Sequence, residues 1–284
     1  RKLREDYPDM IAMYVQNVLG LGPLKKDTTL KLLERFIFKK YWRIAYKAVK
    51  DQYSDFSDIE KQLEQAFKHY KFYYPKDTVP EIYTLMKGID LRYKVATYPE
   101  NNLIIFLDMY LGQDFKYYPS QYSDYQIKEF ESRYIVPDVM ETIYANKFPA
   151  SDYAGKTFLS KMLHRGKKLY FLKAMMPDRA DTTIIRYSKK NWEWCQQYEA
   201  KIWNHFVEDD LVYETNAKKT SDYLKEAPFT SAGGIPPESP PRLGAFIGWQ
   251  IIKKFMANHP KMSLQALMDN KKYKRILNQS GYNP

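Results

Sequence analysis

The stretch FLSKMLHRGKKLYFL, residues 158–172, decides the fold, because its apolar residues recur at helical spacing while cations interrupt its middle. On such a helix His164 and Lys168 lie on one face, four residues apart, and Arg165 lies about 100° round. In the motif H-E-x-x-H, two histidines on such a face bind zinc and the glutamate activates the metal-bound water. Here the same positions read H-R-G-K-K. We therefore predict a helix with the spacing of a zinc site and without its chemistry.

The residues at the second and fifth motif positions remove the chemistry of zinc hydrolysis. Arg165 stands where the glutamate would be and provides no general base. Lys168 puts an ammonium group, which has donors and no lone pair, where a metal ligand is needed. We therefore predict no metal, no other cofactor and no enzymatic activity at this helix. Spacing alone also allows a simpler interpretation, since one histidine among three basic neighbours matches such a pattern by chance.

The bulk composition indicates a globular protein with a basic surface. With 284 residues and 44% hydrophobic content, the chain can form a substantial core, as one large domain or two closely packed ones. Its 45 basic and 34 acidic residues give a net charge of +11, which allows phosphate, anionic lipid or acidic polymer as a partner and specifies none. The lysine doublets are scattered, so solvated helix faces explain most of them. Cys195 is the only cysteine, which excludes an intramolecular disulfide.

The sequence contains no candidate membrane span. The longest apolar runs, such as LIIFLDMYL at residues 103–111, are far shorter than the ~20 residues that cross a bilayer as a helix. We therefore expect the ordered part to be soluble. A chain that begins at Arg1 without methionine is typical of a processed or trimmed product, so any targeting segment would be missing from it.

Patterning along the chain predicts a mainly helical α+β protein, with residues 1–284 forming a single domain. Residues 1–75 are patterned as helices, including one from Asp27 through LKLLERFIFKKYWRIAYKAV. Residues 76–120 contain short runs rich in Ile, Val and Tyr between turn residues, which predicts a small antiparallel sheet of about three strands. Helical patterning returns in residues 121–284. Helices, then a small sheet, then helices are the order of an α+β domain.

Two further features have more than one interpretation. The proline-rich loop APFTSAGGIPPESPPRLG, residues 227–244, is either functional or simply rigidified. Strings such as KHYKFYYP would form a cationic stacking surface, but tyrosine more often fills the boundary of a core. The sequence has no helix-turn-helix, RNP-like or Gly-rich phosphate-loop pattern, so nucleic acid is not predicted as a partner.

Several uncommon strings occur in order between about Val79 and Pro284. They are LDMYLGQDFKYYP, RYIVPDVM, HRGKKLYFLKAMMPD, WCQQYEAKIWNHFVEDDLVYET, PPESPPRLGAFIGWQIIKKFM and LNQSGYNP. In these strings the chain resembles the family of the gliding motility lipoprotein GldB. The resemblance implies a protein of the cell envelope that faces the periplasm and is held to the membrane by an N-terminal lipid anchor absent from this chain. It also implies that the partners are envelope proteins of the motility or secretion machinery.

That family in turn resembles predicted zincin-like peptidases, in which this helix carries H-E-x-x-H and follows an edge strand. The resemblance implies a degenerate zincin-like domain that keeps His164 and has Glu199 as the place for a remnant of a third ligand. It also puts Asp108, from LIIFLDMYLG, beside the former cleft and brings the loop residues Glu238 and Arg242 to the same face. For Asp108, strand packing is favoured over ligand binding.

We therefore predict a catalytically inactive scaffold whose degenerate cleft, or a neighbouring face, binds another envelope component. His164, Arg165 and Lys168 would offer hydrogen-bond donors to an anion or to a partner's carboxylate. One alternative is an active peptidase or cell-wall hydrolase in which Asp108, Glu238 and His164 do general acid and base work. Another alternative is a purely structural subunit with no ligand in the cleft.

Overall fold

The computed structural model describes residues 5–88, 93–99, 102–226, 229–230, 234–236 and 238–284. The chain divides into two compact units, the first formed by residues 1–58 and 80–132 and the second by residues 59–79 and 133–284. The mainly helical α+β class is confirmed, with 60% of the described residues in helices. That the chain acts as a single zincin-like domain stays a prediction.

Helices supply most of the secondary structure in both units. In chain order they are α1 (Pro8–Met13), α2 (Asp27–Ile37), α3 (Lys40–Gln52), α4 (Ser57–Tyr73), α5 (Asp124–Ile127), α6 (Ile135–Lys147), α7 (Ala150–Tyr153), α8 (Phe158–Met175), α9 (Asp181–Ile185), α10 (Lys189–Gln197), α11 (Glu199–Glu208), α12 (Ala217–Thr220), α13 (Leu243–Asn258), α14 (Leu264–Asp269) and α15 (Tyr273–Ser280). The strands are β1 (Ile82–Leu85), β2 (Val95–Tyr98) and β3 (Asn102–Phe106).

The sheet lies in the first unit and is mixed, which corrects the prediction of an antiparallel sheet. Its strand order is β1-β3-β2. β2 pairs antiparallel with β3, whereas β1 pairs parallel with it, from Ile82 opposite Leu103 to Leu85 opposite Phe106. β3 is therefore the central strand of the sheet. Its almost uninterrupted apolar run is the pattern of a strand that is covered on both faces.

Two long helices that apolar periodicity predicts, one from Asp27 and one from Ser188 through VEDD, are each divided. The segment from Asp27 forms α2 and α3, because Lys39 adopts an extended backbone between them and the ring of Phe36 then packs on Trp42 with centroids 4.3 Å apart. The segment that begins after Ser188 divides at Tyr198 into α10 and α11. Apolar periodicity continues across both breaks, so the sequence pattern alone does not show them.

The core of the second unit is built around the crossing of α8 and α13. A Cβ atom added to Gly166 would lie 2.3 Å from the backbone of Gly248, and one added to Gly248 would lie 2.1 Å from the carbonyl oxygen of Met162. The two backbones therefore touch where neither helix carries a side chain. Gly166 is the glycine of H-R-G-K-K. The central position of that motif thus has a packing role, which fixes the orientation of the residues around it.

Part of the proline-rich loop lies outside the described residues, namely residues 227–228, 231–233 and 237. The same is true of residues 89–92, which follow β1, and of Arg1.

Candidate functional site

The side chains of His164, Arg165 and Lys168 lie at the boundary of the second unit. α8 begins after Thr157, whose hydroxyl accepts a hydrogen bond from the backbone N–H of Ser160. The helix then buries one face, and the three motif residues at its border are each half-buried. They are accessible enough to meet a ligand and buried enough for their charges to interact strongly.

His164 is held as a neutral imidazole. The hydroxyl of Tyr144 donates to the backbone oxygen of His164 at 3.2 Å, and the two rings lie 5.7 Å apart. Burial lowers the pKa of His164 to about 4, and the positive charges of Lys167, Lys168 and Arg165 act in the same direction. At neutral pH this imidazole therefore carries no charge.

Lys168 forms an ion pair with Glu141, which projects from α6. The other carboxylate oxygen of Glu141 lies 3.3 Å from Arg186, and Arg186 also forms an ion pair with Asp138. The side chains of Arg186 and Asp138 are only 7% and 8% exposed, so this second pair is buried. The position of the second zinc-binding histidine is thus occupied by a cation that a carboxylate already neutralises.

Arg165 lies among charges of both signs. Burial lowers the pKa of the Arg165 guanidinium, and the positive charge of Arg242 lowers it further. The negative charges of Glu226 and Glu141 act in the opposite direction. Arg242 immediately precedes α13 with φ of +62°, and its Nη2 donates to the backbone oxygen of Arg186 at 3.2 Å. Its Nη1 lies 3.9 Å from Glu226, whose side chain is 62% exposed.

The structure therefore brings three of the predicted site residues into one group of charges, which we call the basic cluster. The basic cluster has four cations, three carboxylates and the neutral His164 at its edge. Its members are Arg165, Lys168, Arg186, Arg242, Asp138, Glu141 and Glu226. Guanidinium and ammonium groups held in this way are hydrogen-bond donors suited to an anionic group.

Four members of the basic cluster were not predicted from the sequence. Asp138 and Glu141 are three residues apart, which puts them on one face of a helix. This spacing could have identified them as a pair of carboxylates. Arg186 and Glu226 had no signal, since the contacts of Arg186 reach 45 and 48 positions along the chain.

The other predicted site residues lie elsewhere. Glu199 begins α11 and accepts a hydrogen bond from the hydroxyl of Tyr282 at 2.8 Å; it lines a groove with Lys253 and Lys254. Glu238 is exposed in the loop that precedes α13.

Asp108 belongs to the first unit, whereas the basic cluster belongs to the second. It is fully buried in a 3-10 turn directly after β3, and its Oδ1 accepts a hydrogen bond from the backbone N–H of Lys87 at 3.3 Å. Burial raises the pKa of Asp108 to about 6. The backbone N–H groups of Lys87 and Gly88 and the positive charge of Lys87 lower it, but by less. These contacts connect the end of β3 to the segment that follows β1.

Neither a metal cluster nor a membrane-spanning helix is found in the described part of the chain. Among those residues no group of three or more His, Cys, Asp and Glu side chains is placed to hold a metal ion. No helix there has both the length and the apolar character needed to cross a bilayer.

Comparisons with known proteins identify a family. No curated protein and no solved structure matches the chain. The family model of the gliding motility protein GldB matches residues 1–284. The match confirms the resemblance carried by the strings of the C-terminal two thirds and extends it over the helical first third. The chain belongs to the family of the gliding motility protein GldB.

Proposed function

We propose that this chain is a non-catalytic, lipid-anchored envelope protein that supports the gliding motility or secretion machinery by binding an acidic group of another envelope component. In this proposal it faces the periplasm, has a zincin-like scaffold, and uses the basic cluster for recognition. Membership of the GldB family supports the association with motility and with the envelope.

The observation that carries the proposal is the engagement of Lys168 by Glu141 on a helix that has Arg165 in place of a general base. A zinc ion at this face would need lone pairs from two side chains and a base near its water. His164 offers one lone pair, while Arg165 and Lys168 offer only donors. The residues present therefore do not fit a catalytic metal, and they support recognition in place of hydrolysis.

The charge balance of the basic cluster supports an anionic ligand. Its four cations face three carboxylates, and Glu226 is both distant from Arg242, at 3.9 Å, and largely exposed. A carboxylate from a partner is able to displace Glu226 and form the two parallel hydrogen bonds that a guanidinium favours. Removing the charge of Arg165 would then weaken partner binding more than it weakens the fold.

The absence of catalysis is tested by metal content. Plasma mass spectrometry of the full chain after zinc exposure is expected to show zinc far below one ion per chain, equally in the wild type and in His164→Ala. Zinc at one ion per chain that disappears in His164→Ala would overturn the proposal. Cleavage of casein or of peptidoglycan fragments that depends on His164 would overturn it as well.

Recognition by the basic cluster is tested in cells that lack the gene and carry variants of it. Arg165→Gln is expected to abolish complementation at normal protein levels, while His164→Ala and the control Lys190→Gln, an exposed lysine on α10, retain it. Complementation by Arg165→Gln would show that the cluster does not recognise the partner.

The zincin-like scaffold is tested by restoring the motif. Arg165→Glu combined with Lys168→His recreates H-E-x-x-H on α8, and we expect this double variant to take up zinc if the zincin-like geometry is present. A folded double variant that takes up no zinc would show that α8 is only a core helix.

A further inference from the structure

The positive charge of the protein is concentrated in one short segment. Residues 25–50 contain nine cations and only two acidic residues, a net charge of +7 out of the +11 of the chain. All nine side chains are exposed. The nine cations are Lys25, Lys26, Lys31, Arg35, Lys39, Lys40, Arg43, Lys47 and Lys50. In the part of the chain that the structure describes, only Lys47 among them pairs with a carboxylate, that of Asp51 at 2.9 Å.

The same segment exposes large apolar side chains. All of α2 is described, and Thr29 is its one buried residue. The exposed apolar residues of the segment, which range from 43% for Leu32 to 66% for Phe38, are Leu30, Leu32, Ile37, Phe38 and Tyr46. A surface helix normally turns its apolar stripe toward the core. Here part of that stripe is left in water, which indicates that something else covers it in the cell.

The helix α3 shows the same combination beside its buried stripe. It buries Trp42, Ala45 and Val49. Tyr46 borders this stripe and is exposed, three residues after Arg43 and four before Lys50, so the ring has a cation one turn away on each side. Aromatic rings flanked by lysine and arginine are typical of helices that lie at the boundary between water and lipid.

We infer that α2 and α3 form a docking surface for an anionic lipid bilayer, on which the segment lies without crossing. Anionic headgroups would neutralise the lysine and arginine side chains, while Ile37 and Phe38 enter the border of the acyl chains. A soluble polyanion would also attract the cations, but it would leave the exposed apolar side chains in water. The apolar side chains therefore favour lipid over nucleic acid or acidic polysaccharide as the partner.

Vesicle binding by the full chain, prepared without lipidation, tests this inference. Binding is expected to vesicles of equal parts phosphatidylcholine and phosphatidylglycerol and not to phosphatidylcholine alone, and it should weaken as salt is raised. Equal binding to both vesicle types, or binding to neither, would overturn the inference.

Paired variants separate the two contributions. Phe38→Ser and the double change Lys39→Glu with Lys40→Glu are each expected to lower partitioning about tenfold or more. Lys189→Glu with Lys190→Glu, an exposed doublet at the start of α10, is the matched control and should have a much smaller effect. If Phe38→Ser binds as wild type while the Lys39 and Lys40 change abolishes binding, the surface recognises polyanions and the inference is wrong. If the control doublet has the same effect as Lys39 and Lys40, net charge alone explains the binding, and the inference is wrong as well.

Discussion

The helices α8 and α2 are both basic and amphipathic, yet their cations are in opposite situations. On α8 the lysine and arginine side chains are half-buried or, for Lys167, fully buried, and Lys168 is neutralised by a carboxylate from another helix. On α2 the side chains of Lys31 and Arg35 extend into water beside exposed leucines. The sequence alone does not distinguish the two helices by composition. The difference shows that pairing and burial, and not the number of cations, decide whether a basic helix organises its own protein or is available to a partner.

The crossing of α8 and α13 gives the largest difference between the two regions. We expect Gly166→Ala to lower the free energy of unfolding by about 4 kcal/mol, more than an added methyl usually costs, because the new atom meets backbone and not a movable side chain. Leu32→Ala on α2 should change it by about 0.5 kcal/mol or less, since that side chain is already 43% exposed. Urea denaturation measures both values. Equal stability of Gly166→Ala and the wild type would show that the helices do not touch there.

The next largest difference concerns carboxylates that pair with cations. Asp138→Ala leaves the buried Arg186 without its nearest carboxylate, and we expect a loss of about 3 kcal/mol in the free energy of unfolding. Asp51→Ala breaks the pair with Lys47 on α3, whose side chains are 79% and 62% exposed, and should cost less than about 0.5 kcal/mol. Chemical denaturation of the two variants at neutral pH compares them directly. Similar losses would mean that the pair of Arg186 and Asp138 is as well hydrated as the surface pair.

The two units are expected to respond to pH with opposite sign. The pKa of His164 is about 4 in the folded chain and near 6.5 when unfolded, so between these values only the unfolded chain takes up the proton. Stability therefore falls as pH drops through this window, by on the order of 2 kcal/mol, and His164→Gln should remove that loss. The carboxyl of Asp108, whose pKa is raised to about 6, keeps its proton only when folded, so its contribution falls as pH rises from about 4 to 6.

Stability curves of His164→Gln and Asp108→Asn across this pH range measure the two contributions separately. We expect the slope to become less positive in the first variant and more positive in the second. A slope that is unchanged in His164→Gln would show that the imidazole of His164 is well solvated.

The parts of the fold that local interactions determine could be predicted from the sequence, whereas the parts that depend on contacts between distant residues could not. The helix α8 and the helical character of residues 121–284 were predicted from apolar periodicity, which is a local property of the chain. The parallel pairing of β1 was not predicted, because alternation along a strand carries no information on the direction of its neighbour. The break between α2 and α3 lies at the backbone of Lys39, and the periodic pattern continues through it.

For the candidate site, too, the residues connected by local spacing were predicted and those connected by long-range contacts were not. His164, Arg165 and Lys168 were found because they occupy one motif on one helix. Arg186 was missed, since its carboxylate partners lie on another helix and no local spacing connects them. The lysine doublets of residues 25–50 were interpreted as solvated helix faces, and only the exposure of the apolar residues between them indicates a partner.

The smallest expected effect on stability is also the one that best separates the two regions. Lys39 and Lys40 are exposed at the start of α3, where acidic residues interact favourably with the helix dipole. We therefore expect Lys39→Glu with Lys40→Glu to change the free energy of unfolding by less than about 0.5 kcal/mol while it lowers vesicle binding about tenfold or more. Lys168→Glu reverses one charge beside Glu141 and should destabilise the fold by at least about 1 kcal/mol without changing vesicle binding. Denaturation and vesicle sedimentation on the same preparations test this double separation. It fails if either variant changes both quantities, because the cations of α2 and α3 would then support the fold as those of α8 do.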